Sequence, residues 1–124
     1  MITWFSKNEK AMVATISKNC ITVNKPSLSY LKEATAVELG YDDETKTIVM
    51  KPLTLGECES GVYPEDALFP LSGGKTYSRI SSTEFVKKIG SEIGIDFSST
   101  SHRFVTTYDT ERRFVVIHLT EEAD

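Results

Sequence analysis

Residues 40–52 read GYDDETKTIVMKP, and residues 107–119 read TYDTERRFVVIHL. Laid together without a gap, Tyr41 meets Tyr108, Asp42 meets Asp109, Glu44 meets Glu111 and Lys46 meets Arg113. Ile48-Val49-Met50 then meets Val115-Val116-Ile117. Both stretches carry an aromatic residue, an Asp-led polar turn and an apolar run. Asp in such a turn bonds the backbone just ahead of it, and Val and Ile fit the pleated surface of a strand. Each stretch therefore predicts the turn and return strand of a β-hairpin. Their match predicts a chain built from two similar halves.

Working outward in the first half, AMVATI (11–16) and CITVN (20–24) alternate apolar and polar positions, which predicts another hairpin, turning at Lys18-Asn19. KPSLSYLKEA follows. Pro26 suits a first helical turn, Asn24 is its expected cap, and Leu28 and Leu31 share a face. In the second half, KTYSRIS predicts a strand and STEFVKKIGSEIG a helix. That helix would open with a Ser81–Glu84 capping box, bury Phe85, Ile89 and Ile93 along one stripe, and stop at Gly94. HRFVTTY and RRFVVIHL form the last hairpin. Each half thus reads strand, helix, hairpin. The expected fold class is α+β: duplicated β-α-β-β units in a mostly antiparallel sheet with two short helices. The expected organisation is one domain, with a first half 1–52, a connector 53–74, a second half 75–119 and a frayed acidic tail 120–124.

The chain has 124 residues, 40% hydrophobic and 26% charged, with a net charge of −4. That is ample for a packed core without a disulfide or metal. It holds no apolar run of about 18 residues and no signal-peptide core, so the sequence predicts no membrane association and a cytoplasmic location. Cys20 and Cys58 match no metal-ligand spacing and read as two free thiols. Charge is uneven: residues 1–40 hold five lysines against three glutamates, whereas residues 53–124 hold seven bases against twelve acids.

No stretch carries a catalytic or metal-binding signature, and no cofactor is expected. LSGGKT (71–76) has the end of a phosphate-binding loop but Phe69 where the first glycine is needed, so it reads as a turn into a strand. His102 and His118 have no nucleophile at a recognisable spacing. The acids of YDDE and YDTE read as solvated turns. Trp4 and Phe5, next to Ile2, are the candidate partner-binding residues, because aromatic anchors concentrate binding energy.

Residues 21–52, ITVNKPSLSYLKEATAVELGYDDETKTIVMKP, resemble the AbrB-like swapped-hairpin domains of bacterial transcriptional regulators and antitoxins. The resemblance rests on Ile21-Thr22-Val23, Pro26, Leu28, Leu31, Val37, Leu39, Ile48, Met50 and Lys51-Pro52, and extends more loosely to a second copy at 76–119. It implies two interleaved units, here within one chain, forming an intramolecular swapped-hairpin barrel. It also implies DNA contacts from basic residues, for which Lys10, Lys18, Lys25 and Lys32 are the candidates. The family commonly places arginines near the first strand and turn, but here the first arginine is Arg79. Two functions therefore stand: a non-catalytic protein-interaction module, with an unidentified protein partner or self-association, and a small DNA-binding regulator.

Overall fold

The structure is a computed structural model and describes residues 1–2 and 11–123. In chain order it contains β1 (Val13–Ile16), β2 (Cys20–Asn24), a 3-10 helix (Lys25–Tyr30), β3 (Ala34–Asp42), β4 (Thr47–Thr54), α1 (Leu55–Glu59) and a single 3-10 turn (Glu65–Ala67). Then come β5 (Phe69–Gly73), β6 (Tyr77–Ser81), α2 (Thr83–Ile93), β7 (His102–Asp109) and β8 (Phe114–Glu122). The eight strands close into one antiparallel barrel in the order β1-β2-β6-β5-β3-β4-β8-β7, and β7 pairs back onto β1.

Around the ring the hairpins alternate: β1–β2 from the first half, β6–β5 from the second, β3–β4 from the first, β8–β7 from the second. Exchanging β1–β4 for β5–β8 leaves this cyclic order unchanged, so the topology has an internal two-fold. Val49 is paired with Val116, its own counterpart in the two matched stretches. The two-fold thus runs through that pair.

Each half is hairpin, helix, hairpin, which corrects the expected β-α-β-β unit. The missing strand is β5, inside the stretch read as a connector. Its Leu71, Ser72 and Gly73 pair with Ile80, Arg79 and Ser78 of β6, and its Pro70 and Phe69 with Ala36 and Val37 of β3. At either side β4 runs on to Thr54, and β8 continues to Glu122 where a frayed tail was expected. The Ala123 amide still donates to the Arg103 carbonyl at 2.8 Å.

The core follows from period-two patterning. Ala14 and Ile16, Ile21 and Val23, Ile48 and Met50, and Val115 and Ile117 all point inward and are essentially fully buried. An eight-stranded barrel has an interior that side chains of this size can fill. Phe104, 0% exposed, is the largest fully buried side chain among the described residues. Gly73 takes φ +135° with Tyr77 and Ser78 backbone against it, so LSGGKT is the end of β5 and the turn into β6.

Local capping differs from expectation in three places. The cap of α2 is Ser82, whose hydroxyl accepts from the Phe85 amide at 3.2 Å; Ser81 belongs to β6, paired with Cys20. A capping box is instead formed by Thr54 and Glu57, opening α1. Asn24 stands at the N-cap of the 3-10 helix but caps no amide there. Its Oδ1 accepts from the Val13 amide and the Ser27 hydroxyl, and its Nδ2 donates to the Ala11 carbonyl, which ties β1 to β2. The first turn spans Ser17–Asn19, and Asn19 does not take a positive φ. Instead its carbonyl accepts from the Ser82 amide at 2.9 Å, fastening the start of α2 to the first hairpin.

Gly94 ends α2 at φ 73°, as the sequence predicts, and lets the Ile95 amide reach the Gly90 carbonyl at 3.0 Å. That reversal presses the Ile95 carbonyl against Gly90, where an added Cβ would lie 2.5 Å away. Gly90→Ala should therefore destabilise the chain by about 1–3 kcal/mol, the usual cost of overpacking. Gly40→Ala, with open space around its Cβ, should leave thermal unfolding within about 0.5 kcal/mol of wild type. Denaturation curves of the two variants check this pair.

Candidate functional site

The four-residue loops 43–46 and 110–113 are built alike. Asp42 Oδ1 accepts from the amides of Glu44 (2.9 Å) and Thr45 (3.3 Å). Asp109 Oδ1 accepts from the amides of Glu111 (3.0 Å) and Arg112 (3.1 Å). Each loop ends in a cationic residue with left-handed backbone, Lys46 at φ 56° and Arg113 at φ 62°. These are the only positive-φ residues other than glycine among the described residues. A side chain there costs about 1 kcal/mol relative to glycine. The matched sequence thus encodes matched turns, and the leading aspartate of each serves the backbone.

Because every strand pair is antiparallel, the connections sort to two ends of the barrel. One end carries the 17–19 and 43–46 turns and α2. The other carries the 3-10 helix, the 74–76 turn and the 110–113 turn. Of the lysines expected at a nucleic-acid face, exposed Lys18 lies at the first end, and exposed Lys25 and Lys32 at the second. They do not form one contiguous face. Lys10, Trp4 and Phe5 lie outside the described residues.

At the second end a groove of about 390 Å³ opens between the 3-10 helix, the end of β4, the start of α1 and the 110–113 turn. Its aromatic side is a stacked pair, Tyr30 on Tyr108, with ring centroids 4.0 Å apart and planes 14° apart. Tyr30 is 41% exposed. Its cations are Lys51, Arg112 and Arg113, and Glu33 and Glu57 complete its rim. The Lys51 ammonium donates to the Tyr63 hydroxyl at 2.8 Å and lies 4.9 Å from that ring's centroid. The hydroxyl raises its pKa above the ordinary 10.5. Glu57 is held below the ordinary carboxylate value, chiefly by the Thr54 amide.

The two histidines each sit between a carboxylate and a threonine. His102 Nδ1 is 3.0 Å from Glu122 Oε1 and its Nε2 3.3 Å from Thr100 Oγ1. His118 Nε2 is 2.8 Å from Thr107 Oγ1, with Glu121 3.9 Å from Nδ1. The order carboxylate–imidazole–hydroxyl is that of a hydrolytic triad, but neither set lines any of the cavities described for the chain. Among the described residues no group of three or more His, Cys, Asp or Glu is placed to hold a metal ion. Cys20 and Cys58 are both free thiols. No helix of the described residues is long and apolar enough to cross a membrane.

The groove residues went unread in the sequence for a physical reason. Tyr30, Lys51 and Arg113 come from three separate elements, and only closure of the barrel brings them together. The one local signal was the cation closing each repeated turn. Compared with known protein families, curated proteins and solved structures, the chain matches none.

The Asp42 carboxyl is lowered from 3.8, first by the Thr45 amide and then by that of Glu44. A lowered folded pKa means stabilisation that is present above the unfolded value and lost as pH falls through the folded one. Asp42→Asn should therefore lower the melting temperature near neutral pH, and the difference from wild type should shrink as pH falls below the ordinary carboxylate range. Thermal melts across that range test it.

Proposed function

We propose that this chain is a non-catalytic protein-interaction module, and that it docks its partner in the groove beside the 3-10 helix. The observation carrying this reading is the exposed Tyr30, stacked on Tyr108 and flanked by Arg112 and Arg113. Tyrosine and arginine are the residue types that dominate binding energy at interfaces. Tyr30 is already ordered by its stack, so little entropy is lost when a partner covers its free face. A cytoplasmic setting goes with this reading and is supported by the two unpaired thiols. The two halves we take as copies of one ancestral hairpin-helix-hairpin unit, a view supported by the shared turn geometry and the two-fold strand order.

The test is selection of a random peptide library on the full chain. Enriched peptides should bind the Tyr30→Ala variant at least about tenfold more weakly, the loss typical of one interface anchor. Equal binding to both proteins would remove the groove from the reading.

A second reading, a DNA-binding regulator of the AbrB-like type, is supported by the alternation of hairpins from the two halves around the barrel. Lys25 and Lys32, at one end, would then contact phosphates. Titration with mixed-sequence duplex should give salt-sensitive binding, and Lys25→Ala with Lys32→Ala should lower the log–log salt slope by about 2. No binding at low salt would exclude this reading.

A further inference from the structure

We propose that the groove selects an acidic peptide segment, with a carboxylate held by Arg112 and Arg113 and its neighbouring side chain laid on Tyr30. The inference rests on the groove being the docking site and adds the chemistry of what docks there.

The charges around the groove are not equally committed. Glu57 Oε1 accepts from the Thr54 amide at 3.0 Å and from its hydroxyl at 3.2 Å, which holds this carboxylate at the α1 cap, where Lys51 and Arg113 also act on it electrostatically. The Lys51 ammonium gives one of its three donors to Tyr63. Arg112 makes a loose ion pair, its Nε 3.8 Å from Asp109 Oδ2, acts on Asp42 at longer range, and has its side chain 74% exposed. Asp109 meanwhile gives its other oxygen to the turn amides. Among the described residues Arg113 has no ion pair within 4.0 Å. Two guanidinium groups on adjacent residues thus face the groove with bonding capacity to spare. Guanidinium pairs with a carboxylate through two parallel bonds, a match that lysine cannot offer.

The backbone points the same way. Arg113 stands at φ 62°, where glycine would be unstrained. Lys46 shares that backbone at the matched turn, but of the two it is Arg113 that lines the groove.

Charge and size favour a peptide over a nucleic acid. A phosphodiester strand carries a charge at every nucleotide and would bring several past Glu33 and Glu57 in a groove of about 390 Å³. A peptide can present one carboxylate to the arginines and neutral groups elsewhere. The chain's net charge of −4 also disfavours a long polyanion more than a short acidic segment.

The experiment is fluorescence anisotropy on the full chain with three labelled probes. These are a hexapeptide containing Glu, Asp and Leu, its Gln/Asn counterpart, and a dT hexanucleotide. Wild type, Arg113→Gly, Arg112→Ala and Tyr30→Ala are compared. Glycine accepts the left-handed turn, so Arg113→Gly should melt no lower than wild type. It should nevertheless bind the acidic peptide about tenfold or more weakly, the worth of a charge-assisted bond. The Gln/Asn peptide should show a similar loss on wild type, and added salt should weaken the acidic peptide. Equal binding of the two peptides, with dependence on Tyr30 retained, would overturn the acidic preference and leave the groove as a docking site. Unchanged affinity in Arg113→Gly would overturn the assignment of the arginines. Binding of the oligonucleotide in place of the acidic peptide would overturn the choice of partner. Binding of neither peptide at the groove would overturn the docking reading with it.

Discussion

Every strand of this protein finds one neighbour inside its own hairpin and the other in the opposite half of the chain. An isolated hairpin leaves two edges of unpaired backbone donors and acceptors, and an unpaired edge is costly when buried and hazardous when exposed. Here each half supplies two hairpins and no way of pairing their outer edges to one another. The second half fills both gaps of the first, and the ring closes without an edge. Neither half has a complete sheet alone, so the core, the end caps and the groove all depend on this interleaving.

The same constraint decides what meets at the two ends. The helical segment of each half brings an aromatic side chain to the second hairpin of the other half. At one end α2, eleven residues long, buries Val86 and Ile89, and its Phe85 shares a cavity with Tyr41 of β3. At the other end the six-residue 3-10 helix stacks Tyr30 on Tyr108. Tyr41 and Tyr108 are counterparts in the repeated stretch, yet their surroundings have diverged. The longer helix covers its end with aliphatic side chains. The shorter one, held to a tight turn by Pro26, leaves a groove that α1 and the arginine-bearing turn border. The two ends of the barrel therefore carry differently lined cavities.

Much of the local structure was legible in the residues. The turns were readable because Asp42 and Asp109 occupy positions where a carboxylate can accept two amides. The stripe of Phe85, Ile89 and Ile93, stopped by Gly94, announced α2. The strand β5 was not legible, because FPLSG offers three ladder positions to β6 and two to β3, with a proline among them. A strand that short shows no periodicity before its partners are known. The cap of α2 slipped by one residue because Ser81 and Ser82 are equally good capping residues by type, and only the pairing of Ser81 with Cys20 separates them. Barrel closure was out of reach of residue patterns alone: β1–β7 and β3–β5 pair strands distant in sequence. The groove shares that origin, since its tyrosines and arginines are neighbours only after closure.

The most direct test of the account is a solution NMR measurement of cross-strand contacts between the halves. Backbone nuclear Overhauser effects should appear for Val49 with Val116 and for Thr22 with Arg79, the central pairs of β4–β8 and β2–β6. They should appear as well for Thr15 with Arg103, where β1 and β7 close the ring. Contacts at all three places are the result the interleaved barrel predicts. Contacts confined to the hairpins, with none between β1 and β7 or between β4 and β8, would contradict it.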